Sequence, residues 1–291
     1  SLKEVVARSG SFVLPGFYGA TVDGAIKLFQ RGGGDITGAI VARCLDADLY
    51  ENWTDVSGFL SADPRIVQNP RAIGRITFDE MRELSYMGAS VLQEEAIFPV
   101  REANIPIQIK NTNRPEDTGT VIRETADGDT NEHLITGIAG KKDFLAIHVK
   151  KAHMSNEVGV ISRALNIVER YGVSVEHIPT GVDSFGIVVN ASDVKDTVYS
   201  IISDIRREIE PDDITMVDRL ALVSVVGRNM SRRSGTSGKI FGALGNAGVN
   251  IRMITQSSEE ISIIVGVDNA DFDRTIGVIY NGFVRDEMVS R

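Results

Sequence analysis

The sequence predicts an α/β chain in two parts. One open α/β layer covers residues 1 to about 125, and two copies of a smaller β-α-β-β-α-β unit follow it. Three observations predict this. The second half repeats itself without a gap at one offset, which matches Met154 to Met230, Gly159 to Gly235 and Gly172 to Gly248. Strand-like runs at 145–149 and 185–189 recur at 221–225 and 261–265 at that same spacing. The first half has a different texture, with strand-like runs alternating with helical patterns around a run of three glycines.

Taken in order, Ser11-Phe12-Val13-Leu14 reads as a strand running into a Pro15-Gly16 turn at Phe17. Gln30-Arg31-Gly32-Gly33-Gly34-Asp35 then opens a helix whose apolar face includes Ile36, Ala39 and Ile40. Glycines before a helix let the backbone pass close to a ligand and aim N–H groups at an anion, though a plain turn explains them equally. Arg31 beside them suits a carboxylate, because a guanidinium grips one through two parallel hydrogen bonds. Asp35 reads either as the helix N-cap or as an active-site acid. A strand at 49–53 ends in Thr54-Asp55, and ligands of open α/β sheets sit at the carboxyl ends of strands. Asp63-Pro64-Arg65 reads as a turn with a local ion pair. Thr77-Phe78-Asp79-Glu80 is a capping box, read as structural. Pro106-Ile107-Gln108-Ile109 reads as a closing strand, and the polar stretch after Asn111 as a linker.

Each repeat copy opens on a β-rich run and a short loop. A helix follows, with Ile161, Ala164, Leu165 and Val168 on one face in the first copy. Gly172 and Gly248 mark the helix ends. Alternation at Val173/Val175 and at Val249/Ile251 predicts a strand in each copy. A further strand and a second helix, with Val194, Val198, Ile201, Ile202 and Ile205 on one face, complete a ferredoxin-like pattern.

This tandem arrangement resembles paired ACT domains, the amino-acid-sensing modules of biosynthetic enzymes. The resemblance implies an effector site on the first copy, formed by Met154, Asn156, Glu157, Val158 and Gly159 of the loop with Glu176, Ile178 and Thr180 of the facing segment. Helix-terminal N–H groups suit an effector carboxylate, and Glu176 suits its ammonium group or is simply a solvated strand residue. The second loop, Asn229-Met230-Ser231-Arg232-Arg233-Ser234-Gly235, is basic where the first is acidic, which fits a pairing role. Leu134-Ile135-Thr136-Gly137-Ile138-Ala139 is expected to join the second copy's sheet. That gives units at 143–213 and at 133–142 with 218–291, and makes the first copy an insertion in the second.

Gly16-Phe17, Arg31-Gly32-Gly33-Gly34-Asp35, Thr54-Asp55-Val56-Ser57-Gly58 and Ala62-Asp63-Pro64-Arg65, followed by this pair, together resemble aspartate kinase over nearly the whole chain. The resemblance implies the C-terminal half of an amino-acid kinase α/β sandwich at 1–125. It also implies phosphoryl transfer from ATP with Mg²⁺ to the β-carboxylate of L-aspartate, at the head of lysine, threonine and methionine biosynthesis. Carried onto this sequence, Phe17, Arg31, Gly32, Gly33 and Asp35 would meet substrate. Thr54, Asp55, Leu60, Asp63, Arg65 and Ser90 would line the nucleotide pocket. Lysine, threonine or both would be the effector, and a homodimer or tetramer would form through the ACT domains. The sequence departs from the pattern at Gly34 (usually serine), Leu60 (usually aromatic), Ser90 (often lysine) and Gln93 (usually histidine). The family's Lys-Phe-Gly-Gly loop has no counterpart in these residues, so the chain is expected to begin within the kinase domain. The alternative is a non-catalytic amino-acid-sensing regulatory chain.

Composition narrows the function classes. The 31 Lys and Arg against 40 Asp and Glu give a net charge of −9, which disfavours nucleic-acid backbones. Apolar residues at 42% and charged residues at 24% are a globular balance. The single cysteine, Cys44, permits no intrachain disulfide and no cysteine-based metal site. No apolar run reaches membrane-spanning length, so a cytoplasmic protein with a small anionic or zwitterionic ligand is expected, without a membrane, nucleic acid or resident metal.

Overall fold

The computed structural model describes residues 2–89, 91–92, 97–125 and 133–285. Ser90 and Gln93 lie outside the described residues. Elements in chain order are α1 (Leu2–Ser9), β1 (Tyr18–Ala20), β2 (Ile26–Leu28), α2 (Gly33–Leu45), β3 (Tyr50–Thr54), β4 (Arg75–Thr77), α3 (Phe78–Tyr86), α4 (Phe98–Glu102), β5 (Ile107–Asn111) and β6 (Thr120–Arg123). The second part carries β7 (Gly137–Lys150), α5 (Val160–Arg170), β8 (Ser184–Asn190), α6 (Val198–Ile209), β9 (Asp213–Val226), α7 (Thr236–Asn246), β10 (Met253–Gln256), β11 (Ser262–Asp268) and α8 (Phe272–Ile279).

The first part is a four-stranded mixed sheet in the order β3-β5-β6-β4, with β1 and β2 a separate antiparallel pair. Residues 11–16 form no strand, contrary to expectation. Val13 is 97% exposed, so its apolar character finds no sheet to join. The stretch after Asn111 is not only a linker, because β6 pairs antiparallel with β5 and parallel with β4. Thr120 explains this locally. Its buried hydroxyl accepts from Phe59 N at 2.8 Å and donates to Ile73 O at 2.6 Å, so a polar residue closes the sheet. Gly58 makes room for it, with φ +97° and the position of a would-be Cβ only 2.3 Å from Thr120 Oγ1.

The second part is one five-stranded sheet, β10-β11-β9-β7-β8. Its two central strands are each 14 residues long and span both repeat copies. The first half of β7 pairs Gly137–Lys141 with Leu222–Val226, and its second half pairs Ala146–Lys150 with Asp213–Val217. The register shifts around Phe144, beside Asp143 at φ +67°. The repeat survives in backbone detail, since Gly159 and Gly235 precede α5 and α7 at φ +82° and +85°. The expected strands at 173–175 and 249–251 do not form. The first copy keeps only isolated bridges, His177 to Val188 and Thr180 to Phe185, and in the second the strand starts later, at Met253.

Both faces of this sheet are covered. Ala221, Val223 and Val225 pack with Ile240, Leu244 and Ile276 of α7 and α8. Leu222, Val226, Ile264 and Val188 face the other way, into the core of the first part with Phe59, Met81 and Leu84. That explains why 220–226 is apolar at every position except the buried Ser224, rather than alternating.

Candidate functional site

The glycine turn is built by close approach. Gly32 holds φ +88° at the N-cap of α2. A Cβ on Gly33 would fall 2.6 Å from Phe29 Cβ and 2.8 Å from the Phe17 ring, so only glycine fits beneath those rings. Phe17 itself sits at φ +76° and donates its N–H to Thr37 Oγ1 at 3.1 Å. Asp35 does not cap the helix. Its Oδ1 accepts from Asn52 Nδ2 at 2.9 Å, tying the first turn of α2 to β3. Arg31 is exposed at the mouth of this turn. Phe17, Arg31, Gly32 and Gly33 therefore gather at one turn, where the Phe17 and Gly33 amides are already bonded, to Thr37 Oγ1 and to Gln30 O at 3.0 Å, and the exposed Arg31 guanidinium is the group that suits a carboxylate.

A second feature is a cavity of about 690 Å³ between the two parts of the molecule. The 56–66 segment supplies one wall and Met87, Gly88, Ala89 and Val91 another. Ile138, Ala139 and Gly140 of β7 with Phe272 and Ile276 of α8 close it from the sheet side. Leu60, Asp63 and Arg65 line it, whereas Thr54 and Asp55 do not. Asp63 accepts from Arg65 Nε and Nη2 at 2.6–3.1 Å, and those hydrogen bonds hold its carboxyl below the ordinary aspartate value despite partial burial. Arg114 completes the polar part of the lining. Mostly apolar walls with a few charged groups suit a flat heteroaromatic ligand carrying anionic groups.

The residues assigned to an effector are divided. A groove of about 710 Å³ runs between α5 and the 172–178 segment and includes Glu176 and Ile178. Met154, Asn156, Glu157, Val158 and Gly159 do not line it. Met154 is buried, Val158 is 93% exposed, and Glu157 pairs with Lys151 at 3.2 Å and with Arg163. The Lys151 hydrogen bond, ahead of that from Arg163, lowers the Glu157 pKa. Thr180 bridges to Phe185 at the loop end of the sheet.

Two residues of α3, neither of them assigned a site role from the sequence, connect these regions. Glu80 completes the expected capping box at Thr77, but its side chain is wholly buried. It accepts from Thr136 Oγ1 at 2.6 Å, from Arg228 N at 2.9 Å and from Arg228 Nη1 at 2.7 Å. Burial alone would raise its pKa; the hydrogen bonds from Thr136 and the Arg228 amide, with the Arg228 charge, reverse the sign and hold it below the ordinary value. At the other end of α3, Tyr86 Oη donates to Glu176 Oε2 at 2.5 Å. Lys141 Nζ lies 5.2 Å from the centroid of that Tyr86 ring. Burial and the Glu176 hydrogen bond push the Tyr86 pKa up to about 12. Beside Glu176, burial lowers the His177 pKa against the opposing effect of the carboxylate.

Comparison with known proteins finds matches in both parts of the chain. A family model described as the amino acid kinase family matches residues 1–111, and one described as an ACT domain matches residues 223–283. Aspartokinase 3 of Bacillus subtilis is 40% identical over 291 residues, all of this chain and 64% of that protein. The solved aspartate kinase of Clostridium acetobutylicum superposes with a TM-score of 0.89 at 52% identity, over 92% of this chain and 62% of that one. Aspartokinase III of Escherichia coli, solved with lysine and aspartate, gives a TM-score of 0.74 at 26% identity over 92% of this chain and 59% of that one. The same enzyme with aspartate and ADP gives 0.73. The chain thus spans less than two thirds of the length of these relatives.

Proposed function

Because the chain joins an amino acid kinase family segment to an ACT domain and is homologous to aspartokinases along its whole length, we propose that it is the greater part of a feedback-regulated aspartate kinase. The reaction moves the γ-phosphoryl group of ATP to the β-carboxylate of L-aspartate, giving 4-phospho-L-aspartate and ADP. It feeds lysine, threonine and methionine biosynthesis in the cytoplasm. The observation that carries this reading is the cavity walled by both parts of the molecule, in a chain that also carries a glycine turn with an exposed arginine.

In this assignment residues 1–125 are kinase, 143–213 the first ACT unit, and 133–142 with 218–291 the second. Arg31 grips an aspartate carboxylate, Gly32 and Gly33 let it approach the start of α2, and Phe17 packs over them. Asp35 fixes α2 against β3 through Asn52. The apolar walls around Leu60 hold the base, while Asp63 and Arg65 flank the remainder of the nucleotide. Mg²⁺ arrives with ATP and neutralises phosphate charge. The first ACT unit takes lysine, threonine or both, with Glu176 meeting the ammonium group. The exposed edge strand β10, where Ile254 is 50% exposed, suits association into a dimer or tetramer.

The test is aspartate-dependent ADP release from Mg-ATP in the protein that carries this chain. Arg31→Ala should lower kcat/KM for aspartate at least tenfold, since it removes a charge-assisted contact. Undiminished turnover in that variant would contradict the assignment. Silence of the folded wild-type protein would leave the regulatory reading in its place.

A further inference from the structure

We propose that Tyr86 competes with the amino-acid effector for Glu176, so that occupancy of the first ACT unit is reported to the nucleotide cavity by the release of one hydrogen bond. The proposal rests on the amino-acid-sensing reading of Glu176.

Glu176 has two surroundings at once. It lines the open groove beside α5, and its Oε2 accepts from Tyr86 Oη at 2.5 Å. A carboxylate has enough lone pairs for both, but a bound ammonium group and its shell would contend with the phenol for the same partly exposed oxygens. Tyr86 is 49% exposed, so its phenol can turn to water when it loses the carboxylate.

Tyr86 is also well placed to transmit the change. It is the last residue of α3, and Met87, Gly88 and Ala89, which follow it directly, form a wall of the 690 Å³ cavity. Lys141, whose ammonium group lies over the Tyr86 ring, follows Gly140, another wall residue. The far end of α3 is anchored by the buried Glu80 in contact with Thr136 and Arg228. The last turn keeps Leu84 and the adjoining Met87 in the core, while its exposed member, Tyr86, is held by the Glu176 hydrogen bond and the Lys141 contact, so Tyr86 can shift without unpacking that core. Tyr86 is therefore a positioning residue for the cavity.

The experiment is calorimetric titration of L-lysine and L-threonine into the wild-type protein, Tyr86→Phe and Glu176→Gln, with Mg-ADP affinity measured with and without each amino acid. Tyr86→Phe should bind the effector roughly threefold to tenfold more tightly, because its competitor is gone. In that variant the effector should also lose most of its influence on Mg-ADP affinity. Glu176→Gln should weaken amino-acid binding at least tenfold. A merely structural contact would not tighten binding when removed, so unchanged or weaker affinity in Tyr86→Phe overturns the proposal. If Glu176→Gln meanwhile abolishes binding, the sensing site stands without the competition. If Glu176→Gln binds as the wild type does, or neither amino acid binds the wild type, the sensing reading falls and the proposal with it.

Discussion

At the scale of single residues, Glu80 carries more than its sequence context announces. Thr77 and Glu80 form a capping box that is legible three residues apart. The partners that make Glu80 a buried junction, Thr136 and Arg228, lie 56 and 148 residues away, and no local pattern connects them. Replacing Glu80 with alanine removes the shared acceptor of a buried cluster and should lower unfolding stability by about 3–5 kcal/mol, measured by urea denaturation. The pH dependence follows from the sign of its shift. The folded-state pKa lies below the ordinary value of 4.5, so the contribution is present above that value and is lost as pH falls through the folded pKa. Glu80→Gln should therefore flatten the acid limb of the stability profile, and an unchanged limb would show that other carboxylates set it. The cap reading of Asp35 failed for a related reason, since its hydrogen-bond partner, Asn52, sits on another element.

Among elements, the repeat was the most legible feature. Equal spacing of Met154 and Met230, and of the glycines before the two helices, carries through to matching 3₁₀ turns and matching helix starts. The strands at 173–175 and 249–251 failed because alternation reports amphipathicity, not pairing. The first of these segments forms no bridge at all, and the chain beyond it meets β8 only at His177 and Thr180. β6 was missed for the opposite reason. Its four residues begin with a polar Thr120, which looks like loop chemistry and in fact satisfies two buried backbone groups. Thr120→Val keeps the shape but leaves the Phe59 amide without its acceptor. It should cost about 1–3 kcal/mol, with Thr120→Ser recovering most of the loss in the same melt. Equal stability of all three proteins would mean that β6 is held by its ladder alone.

For the whole molecule, the sequence shows two kinds of part but not how they meet. The stretch 220–226, apolar except for Ser224, says that both faces of a strand are covered, and only the fold shows that one covering is the first part of the chain. Their junction brings Phe272 and Ile276, far along the chain, into the same cavity as Leu60, Asp63 and Arg65. Such a shared wall makes a ligand on one side sensitive to packing on the other, and coupling of this kind is reciprocal. The most direct measurement is Mg-ADP affinity with and without saturating L-lysine or L-threonine, paired with the converse titration. At least one amino acid should weaken Mg-ADP about fivefold or more, and Mg-ADP should weaken that amino acid by the same factor. Two affinities that ignore each other in both directions would contradict that coupling.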